Sequence, residues 1–293
     1  MGRRIVKTIM PVFSDMHSGS TTGFMAPSTW VLRDEGGYKP SPAQRKLFAL
    51  GLEIAQEVKH MRQPGERIIA VHNGDAIDGN HHATTQLVTG DKDIQQSIHI
   101  DAMEKILTEM GWSAEDGDLL YYTIGTECHV NSYEHRISKD LGGQQSAKGN
   151  NQHDGSFAWT RLILDVNRTL FDFAHHGFSP GNLPHTRGNA IRSKLRGIYT
   201  DRTDRKKPLP VANWYISSHN HQYRHEMIET NQAGIVHGII TPALQGRTHY
   251  IDKVATRSMS DLGGLIFDIA ADGTTKMRDD YVKRIANERI TKV

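Results

Sequence analysis

The sequence predicts an α/β fold in which mixed β-sheets are flanked by helices. In the first 125 residues, strand and helix patterns alternate in the order β-α-β-α-β, which is typical of a mostly parallel sheet covered by helices. From residue 157 onward, candidate strands follow one another with few helices between them, so we expect largely antiparallel pairing there. Because the chain shows no internal repeat and no clear linker, we expect residues 1–293 to form a single domain.

A strand and a helix open the chain. Residues 5–14, IVKTIMPVFS, predict the first strand because β-branched and apolar residues dominate the segment. Residues 41–61 predict a helix, since Ser41 is an N-cap residue, Pro42 suits the first helical position and Gln44 stands at the capping-box position. Apolar residues then recur at helical spacing, which indicates that one face of this helix is buried.

The remaining elements follow the same two periodicities. The segment 66–73, ERIIAVHN, is a continuous apolar run typical of a buried strand, in which we expect His72 to be buried and hydrogen-bonded. Residues 91–110 predict an amphipathic helix, and residues 118–124 predict the next strand. The candidate strands of the second half, the first two joined by a turn at Asn167–Arg168, are 157–166, 169–175, 212–217, 234–240 and 263–269.

Composition narrows the class of protein. Hydrophobic residues make up 37% and charged residues 23% of the chain, as in globular proteins, and the net charge of +2 is too small for strong general binding of polyanions. No apolar run approaches the roughly 20 residues that span a bilayer, and the N-terminus carries no export signal. The single cysteine fits a reducing compartment. We therefore expect a cytoplasmic protein without membrane contact, and a phage-encoded origin is compatible with this.

Metal-ligating side chains follow several of the candidate strands. Histidine, the commonest metal ligand in proteins, occurs 17 times. In an open α/β sheet, ligands bind where strand ends meet loops, so motifs placed after strands point to one site. The motifs are SDMHSG (14–19), NGDAIDGN (73–80), GTECHV (125–130), AHHG (174–177) and SSHNHQ (217–222).

The spacing within these motifs suits divalent cations. Asp15 and His17 are two residues apart, as are His219 and His221, so each pair can face one ion from an extended segment. Carboxylate and imidazole together suit Mn, Fe and Zn better than Ca or Mg. Asp75 follows a strand and a glycine, where one carboxylate can bridge two ions about 3.5–4 Å apart, the arrangement that assists phosphoryl transfer.

In their order, these motifs resemble the calcineurin-like metallophosphoesterase family. That family's pattern runs Asp-x-His, Gly-Asp-x-x-Asp, Gly-Asn-His-Asp/Glu, a His before Gly, and Gly-His-x-His, and the resemblance covers residues 5–222. It implies a metallophosphoesterase-type β-sandwich of mixed sheets flanked by helices. It also implies a dinuclear enzyme that hydrolyses phosphoester bonds by attack of a metal-bridging hydroxide.

The resemblance implies a role for each matching residue. Asp75 would bridge two divalent ions, for which we expect Mn²⁺ with Fe or Zn as alternatives, and Asp78 would orient neighbouring groups. His175 competes with His176 as the histidine before Gly177, and Ser218 stands where the family usually has glycine. The remaining ligands would be Asp15, His17 and His221 for the first ion, and His176 and His219 for the second.

The third motif departs from the family pattern. Where the family has an asparagine ligand followed by a histidine that protonates the leaving oxygen, this chain has Thr126, Glu127, Cys128 and His129. Either Glu127 or Thr126 replaces the amide, and Glu127 is our prediction for the ligand because its carboxylate is a good hard donor. Cys128 is the weakest candidate. We expect His129 to be the general acid.

A basic stretch stands between the fourth and fifth motifs. Residues 187–207 carry eight arginines and lysines against two aspartates, within a basic insertion around 178–212. A phosphate-rich substrate would suit such a surface. We therefore favour phosphodiesters of nucleic acid or nucleotides, with protein or small-molecule phosphomonoesters and a non-catalytic binding descendant as alternatives. The residues that we expect to contact substrate are His81, His82, Arg187 and Arg192.

Overall fold

Four layers of secondary structure form the core of the protein. The computed structural model describes residues 5–33, 36–80, 84–130, 132–146, 155–181, 186, 188–249 and 260–285. Three helices cover one face of a six-stranded sheet, whose other face packs on a five-stranded sheet, and a further helix covers the outside of that second sheet. The predicted fold class, an α/β sandwich of mixed sheets flanked by helices, is confirmed.

The described residues form fifteen strands and five helices. The strands are β1 (Thr8–Phe13), β2 (Trp30–Leu32), β3 (Gly36–Tyr38), β4 (Arg67–Asn73), β5 (Leu119–Thr123), β6 (Ala158–Trp159), β7 (Leu162–Val166), β8 (Thr169–Phe173), β9 (Trp214–Ser217), β10 (Arg224–Thr230), β11 (Gly234–Ile240), β12 (Ser260–Leu262), β13 (Leu265–Ile269), β14 (Thr275–Arg278) and β15 (Lys283–Ile285). The helices are α1 (Pro42–Met61), α2 (Lys92–Glu109), α3 (Glu127–Val130), α4 (Tyr133–Asp140) and α5 (Asn189–Thr203).

The six-stranded sheet has the order β14-β13-β1-β4-β5-β6. Strands β1, β4, β5 and β6 are mutually parallel, as the alternation of strands and helices in the first half predicts, while β13 and β14 add antiparallel pairs at one side. The carboxyl ends of β1, β4 and β5 therefore meet at one edge of the sheet, which is where loops carrying functional residues are placed in such sheets.

The five-stranded sheet has the order β10-β11-β9-β8-β7. The expectation of largely antiparallel pairing holds for most strand pairs of the second half, but β9 departs from it, because β9 pairs in parallel with both β8 and β11. The basic stretch contains α5, which crosses over between β8 and β9 and so makes these two strands parallel. The β7–β8 hairpin, with Asn167 and Arg168 at φ 54° and 72° in its turn, is as predicted.

Alternation along β1 and β4 builds two separate cores. In β1, Ile9 and Phe13 face α1 and α2, whereas Met10 and Val12 face the second sheet. The same alternation holds along β4, since successive residues of a strand point to opposite faces. Both faces of the central strands are therefore buried, and polar residues at their ends are held rigidly.

The predicted start of α1 is confirmed in detail. Ser41 accepts a hydrogen bond from the backbone N–H of Gln44, and the Gln44 side chain accepts one from the backbone N–H of Ser41, so the capping box is complete. Asp91 caps α2 in a similar way. In the described part of the chain, helices long and apolar enough to cross a membrane are absent.

Candidate metal centre

Five loops bring the predicted motifs to one place. They follow β1, β4, β5, β8 and β9. The loops after β1 and β4 are tied together by backbone hydrogen bonds from Asp15 to Gly74 and from His17 to Asp75. The second sheet joins them where the backbone N–H of His219 donates to the carboxylate of Asp15 at 3.1 Å. The carboxyl edges of both sheets therefore contribute side chains to a common site.

The first group of side chains is Asp15, His17 and His221, whose ligand atoms lie within 4.8 Å of one another. Asp15 is completely buried, and its Oδ1 lies 3.3 Å from Nε2 of His221. Nδ1 of His17 hydrogen-bonds to Oδ1 of Asp78 at 3.1 Å. This bond directs Nε2 of His17 toward Asp75, 3.7 Å from Oδ2.

Asp75 occupies the centre of the site. Its buried carboxylate belongs to two of the four groups that could hold an ion, one with His17 and His129 and another with Asp15 and His175. Oδ2 of Asp75 lies 3.0 Å from Nε2 of His175, so the carboxylate stands between side chains of both sheets. That is the position a bridging ligand needs.

The second group consists of His175, His176 and His219. His175 is buried, and its Nδ1 donates to the backbone carbonyl of Asn73 at 2.8 Å, which leaves Nε2 as the atom facing the site. His176 and His219 are more exposed. The hydroxyl of Thr126 lies among the three rings, 3.2 to 3.4 Å from a nitrogen of each.

His129 belongs to a different group, with His17 and Asp75. Its Nδ1 donates to the backbone carbonyl of Asp78 at 2.6 Å, and its ring meets that of His17 edge-on at a centroid distance of 4.7 Å. Asp78 also accepts a hydrogen bond from Nε2 of Gln245 at 3.3 Å. Asp78 therefore contacts both His17, through its carboxylate, and His129, through its backbone carbonyl.

Left-handed backbone conformations concentrate at the site. Eight non-glycine residues in the described part of the chain have positive φ, and five of them carry candidate ligands. A left-handed conformation costs free energy for residues with a Cβ, although Asp and His tolerate it better than most, and such strain persists where function requires it. The five are Asp15, His17, Asp75, His219 and His221, at φ values of 48°, 43°, 56°, 70° and 51°.

Burial and neighbouring charges shift the pKa values of the site. Burial raises the pKa of Asp15, but the charges of His221 and His175 outweigh it and lower the pKa to about 2. Burial lowers the pKa of His175, but the charge and hydrogen bond of Asp75 raise it to about 10. For Asp75 too, the histidine charges outweigh burial and hold the pKa well below its usual range. The two carboxylates are therefore ionised at neutral pH.

The geometry favours Thr126 over Glu127 as the replacement for the family's asparagine. Glu127 begins α3 and is exposed, and among the described residues it lies in none of the four groups. Thr126 immediately precedes that helix, so its side chain and backbone N–H turn toward Asp75. Cys128 is also exposed.

Of the predicted substrate contacts, the structure describes Arg192. Arg192 pairs with Glu226 of β10 and also donates to Asn189, which places its guanidinium on the α5 side of the second sheet. His81, His82 and Arg187 lie outside the described residues. The expectation for His72 is half correct, because the side chain is buried but both ring nitrogens have no hydrogen-bond partner in the described part of the chain.

Sequence reasoning missed Glu134, a buried carboxyl of α4. Its two oxygens accept hydrogen bonds from the backbone N–H groups of Gly125 at 2.6 Å and Ala76 at 3.2 Å. It thereby ties the loop after β5 to the loop after β4. Its only signal in the sequence is an acidic residue in the first turn of a polar segment, which would ordinarily be taken as helix surface.

These side chains fit divalent cations. Nε2 of His17 is buried without a hydrogen-bond partner among the described residues, although it faces Asp75. Such an orphaned nitrogen costs free energy unless a cation or proton takes its lone pair. Asp15 and Asp75 together bring two buried carboxylates into contact with histidines, a donor set typical of Mn, Fe and Zn sites.

Comparison with solved structures gives matches that include three at low sequence identity. No family model and no curated relative matches the chain. Vps29 from Entamoeba histolytica, in a complex with Zn²⁺, matches at 10% identity and a TM-score of 0.34 over 94% of this chain and 98% of its own. The Thermotoga maritima protein TM1076 matches at 10% identity and a TM-score of 0.34 over 95% and 99%.

A third match is the sulfate thiohydrolase SoxB from Thermus thermophilus, in complex with glycerol. It is 10% identical, with a TM-score of 0.41, and the match covers 97% of this chain and 59% of SoxB. Scores at this level establish no shared family. Any functional assignment therefore rests on the geometry of the site itself.

Proposed function

We propose that the protein is a dinuclear metal-dependent phosphoesterase. The observation that carries the proposal is the convergence of Asp15, His17, Asp75, His219 and His221, each in a left-handed conformation, on one buried carboxylate-rich site. Keeping these groups together without cations would be costly, since buried polar and charged groups need partners.

The proposed ligands divide between the two sheets. Asp15, His17 and His221 would hold one cation, and Asp75 would be shared. His175 and His219, with Thr126 beside them and His176 at the exposed side, would hold the other. When bound, the cations supply a Lewis acid for the phosphoryl oxygen and lower the pKa of water so that it attacks phosphorus at neutral pH.

His129 is the group we assign to proton transfer. Because its Nδ1–H is held by the carbonyl of Asp78, we assign transfer of a proton toward a leaving oxygen to its other ring nitrogen, Nε2. The T-shaped contact with His17 fixes the ring beside the first cluster. Asp78 contributes by orientation rather than by direct contact with the substrate.

Our proposal for the substrate is a phosphodiester of nucleic acid or a nucleotide. Lys194 of α5 donates to the backbone carbonyl of Gly177, the residue after His176, so the start of this helix adjoins the site. Lys194 and Arg196 are exposed, and the helix of 15 residues, about 22 Å long, extends the positive surface well beyond one phosphate group. A phosphomonoester would not reach most of it.

We propose Mn²⁺ as the physiological ion, with Fe or Zn as alternatives. Mixed carboxylate and imidazole donors suit all three, and the two carboxylates at the first site favour the harder Mn²⁺. Elemental analysis of the protein as purified, followed by reconstitution with each ion separately, distinguishes them.

The test is hydrolysis of a chromogenic phosphodiester with added Mn²⁺. We expect activity in the native chain and a loss of about a thousandfold in Asp75→Asn, since removing a bridging ligand forfeits several kcal/mol of transition-state stabilisation. Equal rates in both proteins would exclude the proposal. A native chain that binds cations but hydrolyses no mono- or diester would instead favour the non-catalytic binding module.

A further inference from the structure

A continuous chain of buried side-chain hydrogen bonds runs beneath the metal centre. Its members, which we call the hydroxyl–amide chain, are at most 1% exposed. None of them is among the proposed ligands, and each lies one to three residues before a candidate ligand or on a neighbouring strand end. The members are Ser14, Asn73, Thr123, Ser218 and Thr241.

The bonds are short, and two of them converge on the hydroxyl oxygen of Ser218. The hydroxyl of Thr123 donates to Oδ1 of Asn73 at 2.8 Å, and Nδ2 of Asn73 donates to Oγ of Ser218 at 2.6 Å. The hydroxyl of Thr241 donates to the same Oγ at 2.8 Å. Oγ of Ser14 lies 2.7 Å from Oγ1 of Thr241.

The hydroxyl–amide chain links the ends of strands from both sheets. Asn73 and Thr123 are the last residues of β4 and β5, and Ser14 follows β1, all in the first sheet. Ser218 and Thr241 are the first residues after β9 and β11 in the second sheet. Any shift between the two sheets at this edge must therefore stretch a hydrogen bond that is shielded from water.

Asn73 stands where the chain crosses between the sheets. Its carboxamide accepts from one sheet through Oδ1 and donates to the other through Nδ2, a combination that a carboxylate cannot provide. The acceptor in the second sheet is Ser218. In the family motif that SSHNHQ resembles, this position is usually glycine. A glycine there would leave the amide of Asn73 without this acceptor.

We propose that Asn73 and Ser218 are positioning residues that set the spacing between the ligands supplied by the two sheets. Asp75 follows Asn73 by two residues, and His219 follows Ser218 directly. The hydrogen bond from Asn73 to Ser218 therefore fixes the position of the Asp75 carboxylate relative to the ring of His219. The inference rests on the proposed function, because it requires that the site binds two cations. Partners that orient metal ligands typically contribute a factor of about 10–100 to metal affinity.

Calorimetric titration with Mn²⁺ alone tests this on full-length variants. Ser218→Gly removes the acceptor, and Thr241→Val removes a donor while keeping the shape of the side chain. Thr241→Ser restores the hydroxyl and serves as the matched rescue. Asn213→Ala is the control, since Asn213 hydrogen-bonds to Leu170 at the opposite end of β9 and far from the ligands.

We expect Ser218→Gly and Thr241→Val to bind the second Mn²⁺ about 10–100-fold more weakly, with a weakened exchange-coupled Mn²⁺ pair signal in the electron paramagnetic resonance spectrum. Thr241→Ser and Asn213→Ala should retain native affinity and signal. The inference is overturned if all four variants bind two ions with native affinity, or if Asn213→Ala loses as much as Thr241→Val, which would indicate a general loss of stability. If the native chain itself binds no Mn²⁺, the proposed function fails instead.

Discussion

The backbone N–H of Thr126 donates a hydrogen bond of 2.6 Å to Oδ1 of Asp75, and the hydroxyl of Thr126 donates to Oδ2 of the same carboxylate at 3.2 Å. One residue thus binds both oxygens of the central carboxylate and still places its hydroxyl among three histidine rings. On these contacts we propose Thr126, rather than Glu127, as the residue that replaces the amide ligand of the resembled family.

The choice between Thr126 and Glu127 can be tested with a pair of alanine variants. We expect Thr126→Ala to bind the second cation about 10–100-fold more weakly, because Asp75 loses an orienting partner and the cluster loses an oxygen. Glu127→Ala should bind both ions as the native chain does, since its side chain is exposed. Titration with Mn²⁺ measures the metal affinity of both variants. A larger loss of affinity in Glu127→Ala than in Thr126→Ala would make Glu127 the ligand instead.

His175 and His176 should differ in their effect on metal binding. His175 is buried, belongs to two of the four groups and has its Nδ1 held by Asn73, whereas His176 is exposed and belongs to one. We expect His175→Ala to lose at least one ion per chain at micromolar Mn²⁺ and His176→Ala to keep both with reduced affinity. The reverse order in equilibrium dialysis would restore His176 as the principal ligand.

Replacement of His129 should affect esters according to their leaving group. If His129 supplies a proton, His129→Asn should slow hydrolysis of an alkyl phosphodiester by about 10²–10⁴-fold. A nitrophenyl ester should be slowed far less, since nitrophenolate leaves without protonation. Metal content should be unchanged. Equal losses on both esters, or loss of an ion, would assign His129 to another role.

Glu134 should make the metal-free protein less stable as pH rises from 5 to 8. Burial, reinforced by the charge of Asp75, raises the pKa of Glu134 to about 8, whereas the unfolded chain releases this proton near the ordinary pKa of 4.5. The folded state therefore binds more protons in this range, and its free energy of unfolding falls by up to about 1.4 kcal/mol per pH unit.

The variant Glu134→Gln isolates this effect, because its amide is neutral at every pH and keeps a carbonyl acceptor for one backbone N–H. Urea unfolding in the presence of a chelator, at pH 5 and at pH 8, measures the difference. The native chain should lose more stability between the two pH values than Glu134→Gln does. Equal losses would show that Glu134 is already ionised in the folded state.

Local patterns predicted most of the fold that positions the site. The capping box at Ser41 predicted the start of α1, and the apolar run of residues 66–73 predicted β4. Both α1 and β4 lie within two residues of their predicted bounds. The parallel pairing of β8 with β9 was not predictable in this way. The parallel pairing depends on α5. The many arginines and lysines of this helix make the segment look fully solvent-exposed in the sequence, although Ile191 and Leu195 are buried and pack on the second sheet.

The candidate site was predictable where one motif carries several ligands. The sequence spacing of two residues identifies two pairs of candidate ligands, Asp15 with His17 and His219 with His221. Glu134 and Thr241 could not be found this way, because their partners are distant in the sequence and their residue types are common. Whether the side chain of Thr126 or that of Glu127 faces Asp75 depends on the residue at which α3 begins. A helix of four residues is too short for its start to be predicted from the sequence.

The central claim is that Asp75 lies between two bound cations. Equilibrium dialysis of the native chain against Mn²⁺, followed by elemental analysis, tests it most directly, with Asp268→Asn on the far end of the first sheet as a control for removal of a carboxylate. We predict about two ions per chain in the native protein and in the control, and less than one in Asp75→Asn, since both sites lose the shared ligand. Native protein that binds no Mn²⁺, Fe or Zn, or an Asp75→Asn variant that still binds two ions, would contradict the account.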